Sequence, residues 1–395
     1  MKTKKAKRKR KRIRNLTRKQ RPILRGIGLV ILEPFIYIKE KVDIIMRPLT
    51  TIETLRNLDE GDYPIEETVE LPFTVGQKVC GIGAGQYIPP GKKYRGHTSN
   101  LLWEGTGAND PILKVTGVGA SIEKTTFVDA PIGILLTHPK RGLGTGKMVV
   151  RDCYFDECAT VFQAGLATEE HSNDNVLLER VTADNAESLL VLKNSQAMGF
   201  SLRDCLVRGD RTKDIIDVFA GGCVYADNLT VINGDCILRL RSRKEGGKNN
   251  IGSSNGLYTL RNIKLDQEAG TCKIVQMDDH YPVNIDVANV QAPFKKWIET
   301  INQGNPQLMY EIRGNSVLTV SGSDLYSQCI AWHEKKRKGD DDIPNILLNR
   351  CRFNTDKISE VLSKDKSSGK CYFTATHCTD RKGNPIPDMS AYVDA

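Results

Sequence analysis

Hydrophobic positions along this chain recur in one motif, clearest in KMVVRDCYFDECATVFQAG at 147–165. An apolar anchor is followed by a polar pair, then by an inward-type residue three places on and another five places on. The anchors are Ile122, Val150, Leu178, Leu202, Ala226, Leu260, Ile285, Val320 and Leu348. Three places on stand Thr125, Cys153, Val181, Cys205, Leu229, Ile263, Ala288, Ser323 and Cys351. Five places on stand Phe127, Phe155, Ala183, Val207, Val231, Leu265, Val290, Leu325 and Phe353. A straight strand points successive side chains to opposite sides, so an anchor and the residue three places later would face apart. A corner at the polar pair, such as Arg151-Asp152, Glu179-Arg180, Arg203-Asp204 or Asn349-Arg350, lets both point inward. Each unit is therefore predicted to be a strand, a corner and a second strand. A third strand is predicted near 133–137, 160–164, 189–193, 215–220, 236–241 and 272–277.

Successive anchors lie 24 to 35 residues apart. A period of that size marks a solenoid, in which a unit buries its apolar face only by stacking on the next. Helical periodicity is missing, which excludes leucine-rich and ankyrin repeats. Three short strands per unit predict an all-β chain, a single-stranded parallel β-helix (solenoid) of about 10–12 coils. Parallel crossovers are right-handed, and so is the expected helix. A β-sandwich with irregular strands is the competing arrangement. On this pattern the chain resembles the right-handed parallel β-helix (pectin-lyase-like) superfamily across residues 65–380, in repeat rather than in catalytic signature. The runs GIGAG at 81–85 and GLGTG at 142–146 lack the Lys-Ser/Thr of a phosphate loop. No helical pattern follows either, so they read as tight turns.

Charge divides the chain into an arm and a body. The first 25 residues hold 14 Lys or Arg and no acid, so the rest of a chain with +9 overall carries −5. Residues 1–21 are expected to be a self-repelling basic arm, disordered until a partner binds. Its candidate contacts with an anionic surface are Lys4, Lys5, Lys7, Arg8, Lys9, Arg10, Lys11, Arg12 and Arg14. No aromatic residue is interleaved, which argues against base stacking. Residues 22–60 are apolar and basic together and are expected to cap the first coil or to dock on a neighbouring subunit. Their apolar run at 27–38 contains Glu33 and Pro34 and is too short to span a membrane. The β-helix is expected over 61–380, and 381–395 reads as a polar C-terminal tail.

Eleven Cys are scattered without a C-x-x-C pair or finger-like Cys/His spacing, so no metal site and no cofactor is expected. Cys153, Cys205, Cys351, Cys236 and Cys272 fall on inward positions and read as small buried hydrophobes. An odd count without a secretory signal points to synthesis in a reducing cytoplasm.

Candidate chemistry sits on third strands of neighbouring units. With Leu238 and Leu240 inward, Arg239 and Arg241 face out. Asp217 lies beside Arg239 one unit earlier, and Asp278-Asp279-His280-Tyr281 follows one unit later. If the chain is an enzyme, Asp217, Arg239, Arg241, Asp279 and His280 form an acidic-sugar site, with arginine clamps and Asp279 or His280 moving the proton. The competing reading is a surface ladder of Asp–Arg pairs holding neighbouring coils. The superfamily resemblance implies catalytic carboxylate pairs, or a basic residue with calcium-binding Asp. Of the galacturonase set, only Asp278-Asp279 echoes a member. An arm, a solenoid body and no catalytic set are most like a phage virion β-helix protein. The expectation is a structural virion protein of a tailed phage, a capsid-associated decoration or cement anchored by its arm and made in the host cytoplasm. Its expected partners are capsid or other virion proteins, packaged nucleic acid and surface polysaccharide, with a trimer compatible. A tailspike-type polysaccharide depolymerase is the alternative.

Overall fold

A computed structural model describes residues 55–395, apart from 73–75, 88–96, 139–143, 167–171, 195, 221, 242–255, 267–271, 279–281, 292–307 and 337–340. The basic arm at 1–21 and most of the expected capping or docking segment lie outside the described residues. The body is a right-handed parallel β-helix. Its first face holds strands such as Thr145–Arg151, Asn173–Glu179 and Ala197–Arg203, and its second holds Tyr154–Asp156, Thr182–Asp184 and Leu206–Arg208. The third holds Thr160–Ala164, Ser188–Leu192, Asp214–Val218 and Cys236–Leu240. Ten parallel strands build the third face, one per coil. The first two faces merge into one sheet because long strands such as Gly256–Asp266 run through the corner.

That corner has one physical cause repeated coil after coil. The residue two places past each anchor adopts a left-handed conformation, from Lys124 (φ 50°), Asp152 (53°) and Arg180 (50°) through Asn228 (54°), Asn262 (53°) and Gly322 (57°) to Arg350 and His377 (54°). A non-glycine residue there costs about 1–2 kcal/mol. Stacking offsets it. Corner N–H groups donate to the next coil, as from Asp152 to the Glu179 carbonyl at 3.1 Å and from Arg180 to the Arg203 carbonyl at 2.9 Å. Side chains repeat the pattern: Asn289 Nδ2 donates to Asn262 Oδ1 at 2.6 Å, and Asn262 Nδ2 to Asp227 Oδ1 at 2.7 Å.

Row by row, Ile122, Val150, Leu178, Leu202, Ala226 and Leu260 stand in register and are buried. The seventh anchor is corrected. Val287, not Ile285, pairs with Leu260 and Val320, so Ala288 leaves the core column and Val290 joins Ile263 in it. Ile285 and Val287 are both buried by simple alternation. Only the left-handed Asn289 (φ 54°) decides which of them precedes the corner.

The core is continuous along the axis. Phe127 and Phe155 stack face to face, with centroids 4.5 Å apart and planes 6° apart. Cys153, Cys205, Cys351 and Cys378 occupy the column three places past the anchors and are buried free thiols. Burial pushes the Cys153 and Cys158 thiols up to about 12 and Cys205 up to about 11. The segment expected to be a tail contains a strand: Met389–Asp394 runs antiparallel to Lys370–Thr376 and covers its outer edge. Its alternation of half-buried Met389, Ala391 and Val393 with exposed Ser390, Tyr392 and Asp394 explains why it pairs.

Candidate functional site

On the third face, one outward row runs Gln163, Val191, Asp217, Arg239, Gln276 and Glu311 in register. The structure brings Asp217, Arg239 and Arg241 together as the sequence predicts and adds Asp214 and Asp278. Arg241 Nε lies 2.7 Å from Asp217 Oδ1, and its Nη2 lies 2.7 Å from Asp214 Oδ2 and 3.1 Å from Asp217 Oδ2. Arg239 Nη2 lies 2.6 Å from Asp278 Oδ2. Burial raises Asp214, and the adjacent Asp217 charge adds to the rise. Each of these carboxylates already holds an arginine, so the cluster has the chemistry of a tie between coils. Asp279 and His280 lie outside the described residues.

A second cluster escaped the sequence reading. Residues 81–87 do not turn between coils; they cross the second face as a strap. Ile82 N–H donates to Ser99 Oγ at 3.1 Å, Gly85 N–H to Thr126 Oγ1 at 3.1 Å, and Tyr87 N–H to Asp156 Oδ2 at 3.2 Å. Those three acceptors sit on successive coils. Glycine is required because backbone passes against backbone: a Cβ on Gly81 would meet the Lys124 carbonyl oxygen at 2.2 Å, and one on Gly83 the His97 carbonyl oxygen at 2.4 Å.

Beneath the strap, Asp156 and Asp184 are register partners on adjacent coils, with Arg208 on the next. Arg208 Nη2 lies 3.0 Å from Asp184 Oδ2, and the Tyr154 hydroxyl donates to the same oxygen at 2.8 Å. Asp156 has no arginine among its described partners. Burial pushes its carboxyl up to about 6 against the Tyr87 amide that would lower it, and the charges of Asp184, Glu157 and Asp129 push the same way. A protonatable carboxyl beside an arginine-held carboxylate is the arrangement that separates acid and base roles. The signal was present in the sequence: Asp156, Asp184 and Arg208 each stand six places past an anchor.

This raised carboxyl has a stability consequence. Between the ordinary Asp value and about 6, the folded chain holds a proton that the unfolded chain has released, so stability falls as pH rises across that window. Asp156→Asn removes the cost. Relative to the unmodified protein, it is expected to gain about 1 kcal/mol between pH 4 and pH 8, after discounting for solvent exposure. Urea unfolding of both proteins at the two pH values checks this.

At the far end of the third face is a cleft of about 360 Å³ lined by Lys273, Leu308, Glu311, Arg313, Gln328, His333, Ser363 and Lys366. Glu311 Oε1 accepts from Arg313 Nη2 at 2.8 Å and lies 3.2 Å from His333 Nε2, while Lys273 Nζ stands 3.7 Å from Oε2. The other nitrogen of His333 lies 3.2 Å from Ser368 Oγ. Burial alone would raise Glu311, but the hydrogen bonds from His333 and Arg313 and the nearby positive charges hold it down at about 2. Among the described residues no group of three His, Cys, Asp or Glu could hold a metal ion, and no helix is long and apolar enough to cross a membrane.

Comparison with solved structures returns β-helical proteins at low identity. The chain is similar to the catalytic domain of a GH87 alpha-1,3-glucanase in complex with nigerose, at 12% identity, 91% of this chain, 70% of that chain and a TM-score of 0.43. It is also similar to ORF18 of Geobacillus virus E2, at 10% identity, 85% of this chain, 56% of that chain and a TM-score of 0.38. A third is an alginate lyase from Paenibacillus sp., at 8% identity, 84% of this chain, 93% of that chain and a TM-score of 0.33. No family model and no curated protein matches the chain.

Proposed function

We propose that this chain is a structural virion protein of a tailed phage, fastened to its particle through the basic arm and presenting the β-helix as a capsid-associated decoration or cement. The observation that carries this reading is the charge division: 14 cations and no acid in the first 25 residues, joined to a body of net −5. Such an arm seats on an anionic shell or on packaged nucleic acid, and its counterion release makes binding steeply salt-dependent. The Asp–Arg pairs that tie neighbouring coils on the third face support a body built for rigidity. Deleting residues 2–21 is expected to reduce co-sedimentation with purified particles at least about tenfold and to flatten the salt dependence. Unchanged co-sedimentation of the deletion variant would sink the proposal.

A second reading, a polysaccharide-cleaving β-helix enzyme of the tailspike type, draws support from Asp156 and Asp184 rather than from the Asp217 face. Its expected signature is sugar release from a bacterial surface polysaccharide that Asp156→Asn abolishes and Asp217→Asn leaves in place. Release that is insensitive to Asp156→Asn would reject it.

A further inference from the structure

We propose that the cleft bounded by Lys273, Arg313, His333 and Lys366 binds a phosphate monoester. The argument begins with charge that the cleft does not balance internally. Lys273, Arg313 and Lys366 bring three permanent positive charges, and Glu311 returns one negative, leaving +2 before any protonation of His333. The Asp–Arg ladder on the adjoining coils is the contrast, with Asp214, Asp217 and Asp278 engaging two arginines. A phosphate monoester carries about −1.5 to −2 at neutral pH and matches the excess; a single carboxylate would leave part of it unmet.

Donor geometry points the same way. Arg313 spends Nε on the Met277 carbonyl at 2.8 Å and Nη2 on Glu311 at 2.8 Å, which fixes the guanidinium plane and leaves Nη1 directed elsewhere. Lys273 stands 3.7 Å from Glu311, beyond an ordinary hydrogen bond. Lys366 forms no ion pair among the described residues. Glu311 acts as the fixed counter-charge that holds Arg313 and His333 at the wall of the cleft. Arg313 through its remaining Nη1 and the two lysines as point charges line one cleft, a set of donors that suits phosphate.

Size then selects the form of the ligand. The volume of about 360 Å³ is several times what one water or one phosphate group occupies, so a sugar or similar small organic group fits with the phosphate. Leu308 supplies an apolar wall for that group. This site is independent of the virion reading, since it uses neither the arm nor the second face.

Titration calorimetry on the full chain tests the assignment, with glucose 6-phosphate, inorganic phosphate and glucose as probes. Saturable one-to-one binding of glucose 6-phosphate is expected, weakened about tenfold in Lys366→Gln and in Arg313→Gln, with no binding of glucose. Inorganic phosphate that binds as tightly makes the phosphate group the whole determinant; weaker binding assigns part of the affinity to the organic group. Either result supports the site. The basic arm also attracts anions, and binding that persists undiminished in both variants belongs to the arm and overturns the proposal, as does the absence of saturable binding. Lys366 is exposed, so Lys366→Gln leaves the fold intact and decides the matter even if Arg313→Gln unfolds.

Discussion

Truncating Phe155 to alanine is expected to lower the free energy of unfolding by about 3–5 kcal/mol. The ring is fully buried and stacked on Phe127 at 4.5 Å between centroids. It also fills the room left by a glycine one face away: a Cβ on Gly133 would lie 2.5 Å from the Phe155 ring. Collapse around the resulting cavity is restricted, because hydrogen-bond ladders on both sides fix the separation of the coils. The range for fully buried aromatic truncations therefore applies without reduction for relaxation. Urea unfolding measures the loss, and amide hydrogen exchange should place it in the coils around 127–183. A loss below about 1 kcal/mol would mean that the column of stacked side chains does not dominate stability.

Removing Arg241 produces the second large effect. Arg241→Met is expected to cost about 2–3 kcal/mol at neutral pH, less than for a fully buried pair because the side chain keeps 26% exposure. The loss comes from the groups left behind. Asp217 and Asp214, with side chains only 10% and 16% exposed, would keep neighbouring negative charges without a counter-ion. Burial and the Asp217 charge already raise the Asp214 carboxyl, and loss of Arg241 removes a charge that lowers it. The deficit therefore grows as pH rises through the carboxylate range and shrinks in acid. Unfolding of both proteins at pH 4 and pH 7 checks the sign. The triple variant Arg241→Met, Asp214→Asn, Asp217→Asn should recover most of the loss. A deficit that is the same at both pH values would show that stacking of the Arg241 guanidinium over Phe219, not its pairing with the carboxylates, held the coils.

Much of the body was legible because burial in a solenoid is a local matter. An anchor, a polar pair and two inward residues identify a corner wherever they occur, and the third-face pairing of Asp217 with Arg239 followed from counting alone. The reading slipped where alternation gave two equivalent answers, as at Ile285 and Val287. It also slipped where residues distant in sequence meet. The strap depends on Tyr87 reaching Asp156, a pairing that no period announces. Lys273, Glu311, His333 and Lys366 come from separate coils with unequal loops, so the cleft became visible only in three dimensions. Asp156, Asp184 and Arg208 differ, since their column could have been found by extending the alignment one position.

The closing strand has a consequence for how copies of this protein meet. A stack of parallel coils offers at its end the same edge that every internal coil offers its neighbour, and a second molecule could continue the winding. Across Lys370–Thr376, however, Met389–Asp394 runs the other way. A strand arriving there meets an edge of reversed polarity, and in-register parallel extension stops. In-register parallel coil addition onto Lys370–Thr376 is therefore blocked, because Met389–Asp394 already occupies that edge.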